Sequence, residues 1–507
     1  MSEIQSATTK PEFSKIRAAL WPIHNDELKK FLPMGFMMFF ILFNYTMMRD
    51  TKDALLASAP NSSTEIFNFI KFFVVMPAAV IFVIIYAKLS NSLTRAQLFN
   101  RLVLTFITFF GLFGFFVYPN IEMLHPATES IKMLQEATPA LFYPIAMYGN
   151  WSFVCFYTIS ELWGSVMISL LFWQFANEIT RTNEAKRFYA MFGLIANCAL
   201  ILSGYAVKYF SEISKNLPDG IDPWEVTLKY LMGFIVIAGL IVVYINNWME
   251  KNVLTDSKYY DEAQPKKKKV SKPKLSIGES VKYLVSSPYI GFIAVLVLSY
   301  GMSINLIEAV WKKQVKINFN GNANEINAFM GMFSMITGSA TIVLIMFTKG
   351  IVRRYGWFTG AIITPFMIAI TGGLFFFFIF SRESLGPLMD SNFNISIITA
   401  AVYIGMIQNI LSKGTKYSLF DPTKEMAYIP LDPELKIKGK AAVDVIGGRL
   451  GKAGGSLVTI TLLTVFATSD IMTLLLPLVA FIALVIIAWM WGVKRLNTLY
   501  TTLLAKK

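Results

Sequence analysis

The feature that most constrains this chain is the recurrence of apolar runs long enough to cross a bilayer. Segments such as "FFVVMPAAVIFVIIYA" from Phe72 and "LMGFIVIAGLIVVYI" from Leu231 reach membrane-helix length once their flanks are included. In hydrocarbon every backbone N–H and C=O has to be satisfied within the spanning element, so such runs fold as helices. A transmembrane β-barrel would show short alternating segments instead. The chain is 55% hydrophobic and only 15% charged, where a soluble domain is about a quarter charged. The expected fold is an all-α polytopic membrane protein.

Twelve crossings are expected, near residues 31–57, 66–87, 98–118, 146–177, 187–210, 226–248, 286–311, 326–348, 357–380, 394–412, 441–467 and 471–493. The fourth is too long for one straight span. A polar, lysine-rich stretch with Pro265 and Pro273 divides them six and six. The expected organisation is an N-terminal segment (1–30), a six-helix half (31–248), a linker (249–285), a second six-helix half (286–493) and a tail (494–507). Two six-helix halves joined this way fit a major-facilitator-like architecture, whose halves rock about a midplane site. With the N-terminus inside, the inner segments hold about 33 of the 46 Lys and Arg and the outer ones about 9, as the positive-inside rule expects. Both termini are then cytoplasmic. The net charge of +14 reflects topology and contact with anionic lipid, not a nucleic-acid surface. The run Lys266 to Lys269 reads as solvated linker or as a lipid-contact patch.

Several classes are disfavoured. The polar N-terminus has no apolar core followed by a cleavage site. Cys155 and Cys198 fall in apolar segments and suggest no disulfide framework or metal site, and His24 and His125 lie outside the spans. "GGRLGKAGG" fails as a phosphate loop, which would need Gly at Ile446 and Ser or Thr at Ala453. No hydrolytic constellation appears, so an enzyme is not expected, and neither is a cofactor. A monomer suffices for the architecture.

Ionisable side chains inside hydrocarbon cost about 2.5–3.5 kcal/mol even on a lenient scale, so each needs a reason. The first crossing ends "LFNYTMMRDTKDALLASA", which puts Tyr45, Arg49, Lys52 and Leu56 on one face, with Asp53 at i+4 from Arg49 as its expected partner. On the fourth, Asn150, Tyr157, Glu161, Ser165, Ser169, Trp173 and Asn177 recur at steps of seven or four, a polar stripe for a cavity or a helix interface. On the seventh, Gly301, Asn305, Glu308 and Lys312 share a face. Either these charges only pair and pack helices, or they line a path for a polyanionic substrate with a hydrogen-bonding head group. The stretch "KGTKYSLFDPTKEMAYIPLD" from Lys413 is expected as a connection broken by Gly414, Pro422, Pro430 and Pro433, with Lys424 and Lys440 among lysines at the inner mouth and Arg449 on the next helix.

The blocks "RDTKD", "ISELWGSVMISLLFWQFANEITRTNEAKRFYAMFG", "SINLIEAVWK", "IQNILSKGTKYSLFDPTKEMAYIPLD" and "KGKAAVDVIGGRLGKAGG" resemble the bacterial and plastid ATP/ADP translocases, from about Trp21 to Lys494. The resemblance implies a twelve-helix carrier that exchanges cytosolic ADP for external ATP. It also implies transport roles for Lys52, Glu161 and Glu308 and for a lysine between Lys424 and Lys440. The expected substrate-binding set is Arg49, Lys52, Asn150, Tyr157, Glu161, Asn305, Glu308, Lys312, Lys424, Lys440 and Arg449. Other members of such a family carry several ribonucleotides, couple uptake to protons or exchange NAD for ADP, and those alternatives stay open. The absence of a transit peptide points to the bacterial branch and its inner membrane. The expected mechanism is alternating access, in which an empty site holds uncompensated cations and reorients slowly.

Overall fold

A computed structural model describes residues 21–213, 217–256, 287–348 and 350–505, with Ser14, Arg17 and Tyr259. Side chains are described throughout these except at residues 182, 183, 186, 433–438, 441, 442, 444–450 and 452. Lys266 to Lys269 and most of the expected N-terminal segment and linker lie outside the described residues.

Each expected crossing is a helix. In chain order they are α1 (Leu28–Ala57), α2 (Ile66–Ser92), α3 (Arg95–Leu124), α4 (Trp151–Ile179), α5 (Thr182–Ile213), α6 (Pro223–Asn252), α7 (Pro288–Asn318), α8 (Ala323–Thr348), α9 (Ile351–Phe380), α10 (Ile397–Ala427), α11 (Pro433–Val465) and α12 (Leu475–Ala505). Local sequence sets several starts. Asp222 accepts the Trp224 N–H at 2.9 Å with Pro223 in the first turn of α6, and Thr94 and Ser396 cap α3 and α10 in the same way. The bundle has a near end, where α1 begins and α12 finishes, and a far end.

Two expectations change. The connection expected at 412–440 is almost entirely helical: α10 runs on through a π-helical stretch, Lys416–Phe420, to Ala427, and α11 begins at Pro433. Pro422, which has no N–H to give the helix, comes two residues after that π-helical stretch, where the winding changes. The fourth run is split at Asn150 into a short helix, Phe142–Gly149, and α4. α4 itself winds as a π-helix over Gly164–Phe172. That winding takes more residues per turn, so the seven-and-four stripe loses its phase below Glu161. Asn177 and Gln174 instead bond Tyr189 and Tyr86.

The packing repeats after six helices. α1 packs on α4, α5 and α6, and α7 packs on α10, α11 and α12. The halves meet where α5 crosses α8 and where α2 crosses α11, two contacts that exchange under the same six-helix shift. At the first, a Cβ on Gly204 would lie 2.5 Å from the Gly331 carbonyl oxygen, so the backbones are in contact. The outer face of α2 is apolar, with Phe73, Ile81 and Ile84 exposed, as a lipid-facing helix requires.

Candidate functional site

α1 continues as helix to Ala57, so its charges are structured and not in a loop. Asp50, Lys52 and Asp53 are all buried. Asp53 does not pair with Arg49, as the i+4 spacing suggested. It holds two lysines: Lys52 Nζ at 2.8 Å from Oδ1 and Lys312 Nζ, from the other half, at 2.8 Å from Oδ2. Arg49 turns to its neighbour instead, with Nε 3.0 Å from Asp50 Oδ1, and donates to Ser334 Oγ on α8 at 2.7 Å. Ser334 in turn donates to Asp50 Oδ2 at 2.5 Å. A hydroxyl from α8 thus closes a ring with an acid and a cation of α1.

Three other helices complete the cluster. Glu161 of α4 lies 3.0 Å from Lys52, and the Lys52 ammonium stands 3.8 Å above the centre of the buried Tyr157 ring. Tyr157 stacks on Phe67. On α7 Lys312 also meets Glu308 at 3.2 Å, one turn away, and Lys413 of α10 approaches Glu308 at 3.8 Å over the Phe333 ring. A small cavity, with about 10 Å³ open to the centre of a water-sized sphere, lies between Thr64, Phe67, Asn68 and Lys71 on the N-terminal half and Asn305, Glu308, Ala309 and Lys312 on α7. On that measure a single water needs about 10–15 Å³, so the cavity has to widen to take a nucleotide. Asn305 Oδ1 and Tyr157 Oη are buried with no hydrogen-bond partner.

Toward the far end, one layer out, a second set of charges joins the halves. Glu65, 1% exposed, accepts from Lys313 Nζ at 3.0 Å and from the Ile471 backbone N–H at 2.9 Å. Lys313 also reaches Asp470 at 3.2 Å and Ser63 at 2.8 Å. Lys316 donates to the Ser62 carbonyl at 2.8 Å, and the Tyr143 hydroxyl donates to the Ser469 carbonyl. Glu65 is thus held by two segments of the C-terminal half.

The structure therefore gathers Arg49, Lys52, Tyr157, Glu161, Asn305, Glu308 and Lys312 in one region. Asn150 stands apart, donating to the Pro60 and Ala146 carbonyls at the break before α4. Lys424 and Lys440 form a separate group at the near end, where both meet Glu425. Arg449 lies on α11, and its side chain is outside the described residues. The expected uncompensated cations are not what Lys52 and Lys312 are, since carboxylates pair both, one across the halves. Asp50, Glu65, Lys71 and Lys313 were missed. Lys71 carried the same signal as Lys52, a charge inside an expected crossing. Glu65 sat at the edge of a connection, where acids cost nothing. Among the described residues no group of His, Cys, Asp and Glu is placed to hold a metal ion.

The same architecture occurs in solved structures of distant sequence. A bacterial homologue of the iron transporter ferroportin, in an inward-facing state, superposes with a TM-score of 0.57 at 12% identity, over 91% of this chain and 99% of that one. The nucleoside transporter NupG superposes with a TM-score of 0.52 at 12% identity, over 92% of this chain and 100% of that one. Among sequences, ADP,ATP carrier protein 1 of Chlamydia muridarum is 48% identical over 502 residues, 99% of this chain and 94% of that protein. ADP,ATP carrier protein 1 of Rickettsia prowazekii is 43% identical, covering 99% of both. The chloroplastic ADP,ATP carrier protein 1 of Arabidopsis thaliana is 46% identical over 94% of this chain and 74% of its own length. Residues 6–500 match the family described as TLC ATP/ADP transporter. By that match, and by relatives of this similarity along its whole length, the chain belongs to the TLC ATP/ADP transporter family.

Proposed function

We propose that the chain is an antiporter that takes up ATP in exchange for ADP by alternating access, with the cluster around Asp53 as its phosphate site. The observation that carries this reading is the sharing of Asp53 between Lys52 of one half and Lys312 of the other. A buried charge pair is weak as pure cement, because desolvation offsets much of the attraction. It is apt where a polyanion has to trade places with a carboxylate. In the empty carrier the Asp53–Lys312 bond ties the halves together. Phosphate oxygens compete for Lys312 and Lys52, free Asp53 and Glu161, and so change the free energy of one state relative to the other, which is how a ligand moves such an equilibrium. Unfilled, the carrier stays tied and reorients slowly, and one-for-one exchange follows. Asn305 and Tyr157 offer hydrogen bonds to the head group.

In this reading the near end is cytoplasmic, with both termini, in a bacterial inner membrane. The near-end lysines face anionic lipid, and the carrier works as a monomer. The names of the similar proteins support ADP and ATP as the exchanged pair. The test is uptake of labelled ATP into proteoliposomes, loaded with ADP or empty, without a pH gradient. Uptake that requires internal ADP is expected. Uptake into empty vesicles would overturn obligatory exchange, uptake that follows only a proton gradient would make the carrier a proton-coupled importer, and no ATP uptake would direct the search to GTP, CTP, UTP and NAD.

A further inference from the structure

We infer that Lys71, in the second helix, is a phosphate-binding residue of this carrier, a cation of the cavity that a nucleotide's terminal phosphate meets without displacing a carboxylate. The inference rests on the reading that nucleotide phosphates occupy the cavity, and it adds a residue and a specificity to it.

Lys71 lies on the cavity wall one turn beyond Asn68 and Phe67 and across from Glu308 and Lys312. The other cations of the region have internal partners: Arg49 has Asp50, Lys52 has Asp53 and Glu161, Lys312 has Asp53 and Glu308, and Lys413 has Glu308. Among the described residues Lys71 has no carboxylate within ion-pair distance, no hydrogen bond and no ring beneath it. Among the described residues five cations thus face four carboxylates, and the surplus falls on Lys71. An ammonium in a spanning helix costs several kcal/mol, which an apolar side chain at the same place would avoid.

The backbone singles out the same residue. α2 departs from α-helical winding over Lys71–Val75, a π-helical turn that begins at Lys71 and ends two residues before Pro77. Such turns concentrate at functional sites, since they turn a side chain out of the phase the helix would give it. A cation without a partner, on a locally rewound helix, beside a cavity walled by both halves, is suited to an anion that comes and goes. The ligand chemistry is a terminal phosphate carried by a nucleoside di- or triphosphate. A ligand without that phosphate leaves Lys71 as it is in the empty carrier.

The experiment compares the full-length carrier with Lys71→Gln and Lys71→Arg. Thermal unfolding in detergent is followed without ligand, with ATP and with inorganic tripolyphosphate, and the KM of exchange is measured in proteoliposomes. Lys71→Gln is expected to unfold at the same or a higher temperature without ligand, because a cation without a counter-ion has been removed. It should lose most of the stabilisation that ATP and tripolyphosphate give the wild type, and its KM for ATP should rise about tenfold or more, the size of one charge-assisted hydrogen bond. Lys71→Arg should keep most of both. An unchanged KM with undiminished tripolyphosphate stabilisation would overturn the assignment. So would a ligand-free unfolding temperature that falls while both ligand shifts persist, which would make Lys71 structural. Tripolyphosphate binding reads Lys71 without transport, so a wild type that fails to exchange ATP for ADP would defeat the proposed function while leaving this comparison decisive.

Discussion

Lys312 Nζ of α7 lies 2.8 Å from Asp53 Oδ2 of α1, so an ion pair bonds the N-terminal half to the C-terminal half within the inner cluster. Asp53 gives its other oxygen to Lys52. Asp53→Asn leaves two buried ammonium groups with one carboxylate fewer, a loss of about 3–5 kcal/mol for a buried pair. The expected outcome is a lower unfolding temperature without ligand and a larger rise on adding ATP, measured side by side with the wild type. An equal rise in both would place the phosphates elsewhere.

Lys52 is tied to Asp53, Glu161 and the Tyr157 ring. Lys52→Ala should cut ATP/ADP exchange by about a hundredfold in a carrier that still inserts and purifies normally, because one side chain serves three contacts. Measured exchange at the wild-type rate would remove Lys52 from the site.

The Glu65–Lys313 pair joins the halves in the outer layer and is expected to act as a latch. Glu65→Gln removes the charge that Lys313 meets, while keeping a group that can accept the Ile471 N–H. The far mouth should then open more often. In a background lacking Cys155 and Cys198, a cysteine in place of Thr64 on the cavity wall should react about tenfold faster with a membrane-impermeant thiol reagent from the far side when Glu65→Gln is present. Lys313→Gln should reproduce the effect, and a slower reaction in either would refute the latch.

The crossing of α5 and α8 rests on backbone contact. A Cβ at Gly204 would meet Gly331 O at 2.5 Å and Met335 N at 2.7 Å, so neither neighbour can turn aside. Gly204→Ala is expected to cost about 1–3 kcal/mol as overpacking does, read as a lower unfolding temperature. Gly373→Ala, whose new methyl meets nothing within 4 Å, serves as the neutral comparison.

His125 follows α3 at the far end, with Nε2 2.6 Å from Ser152 Oγ and its ring on Phe153. Burial lowers its pKa below the ordinary histidine value. The unfolded chain therefore binds a proton more readily than the folded one, and the stability present above the unfolded pKa of about 6.5 drains away as pH falls through the lower folded value. Unfolding temperatures should decline more steeply below pH 6.5 in the wild type than in His125→Gln.

Much of this was legible from the residues. Apolar length located each expected crossing as a helix, because a bilayer leaves a backbone no other way to satisfy itself, but not the polar helices Thr128–Ala137 and Arg382–Phe393. The cost of charge in hydrocarbon picked out Lys52, Glu161, Glu308 and Lys312, which do meet. Pairing was not legible: spacing along α1 offered Arg49 to Asp53, while the true partner comes from a helix some 260 residues away in sequence. The π-helical turns in α2, α4 and α10 were not read from Pro77, Gly164 and Pro422 beside them, since proline or glycine in a membrane helix does not say which winding results, and with them went the lower half of the α4 stripe. The latch escaped because Glu65 and Asp470 lie at helix starts, where an acid is ordinary.

Lys312 and Lys313 are neighbours on one helix, yet the first serves the inner cluster and the second the outer layer. Successive residues on an α-helix point about 100° apart, and that angle is fixed by the winding. α7 therefore behaves as a crankshaft with two pins. Any rotation that swings Lys312 away from Asp53 toward an incoming anion swings Lys313 relative to Glu65 by the same angle, so arrival of cargo at one level is felt as torque on the closure at the other.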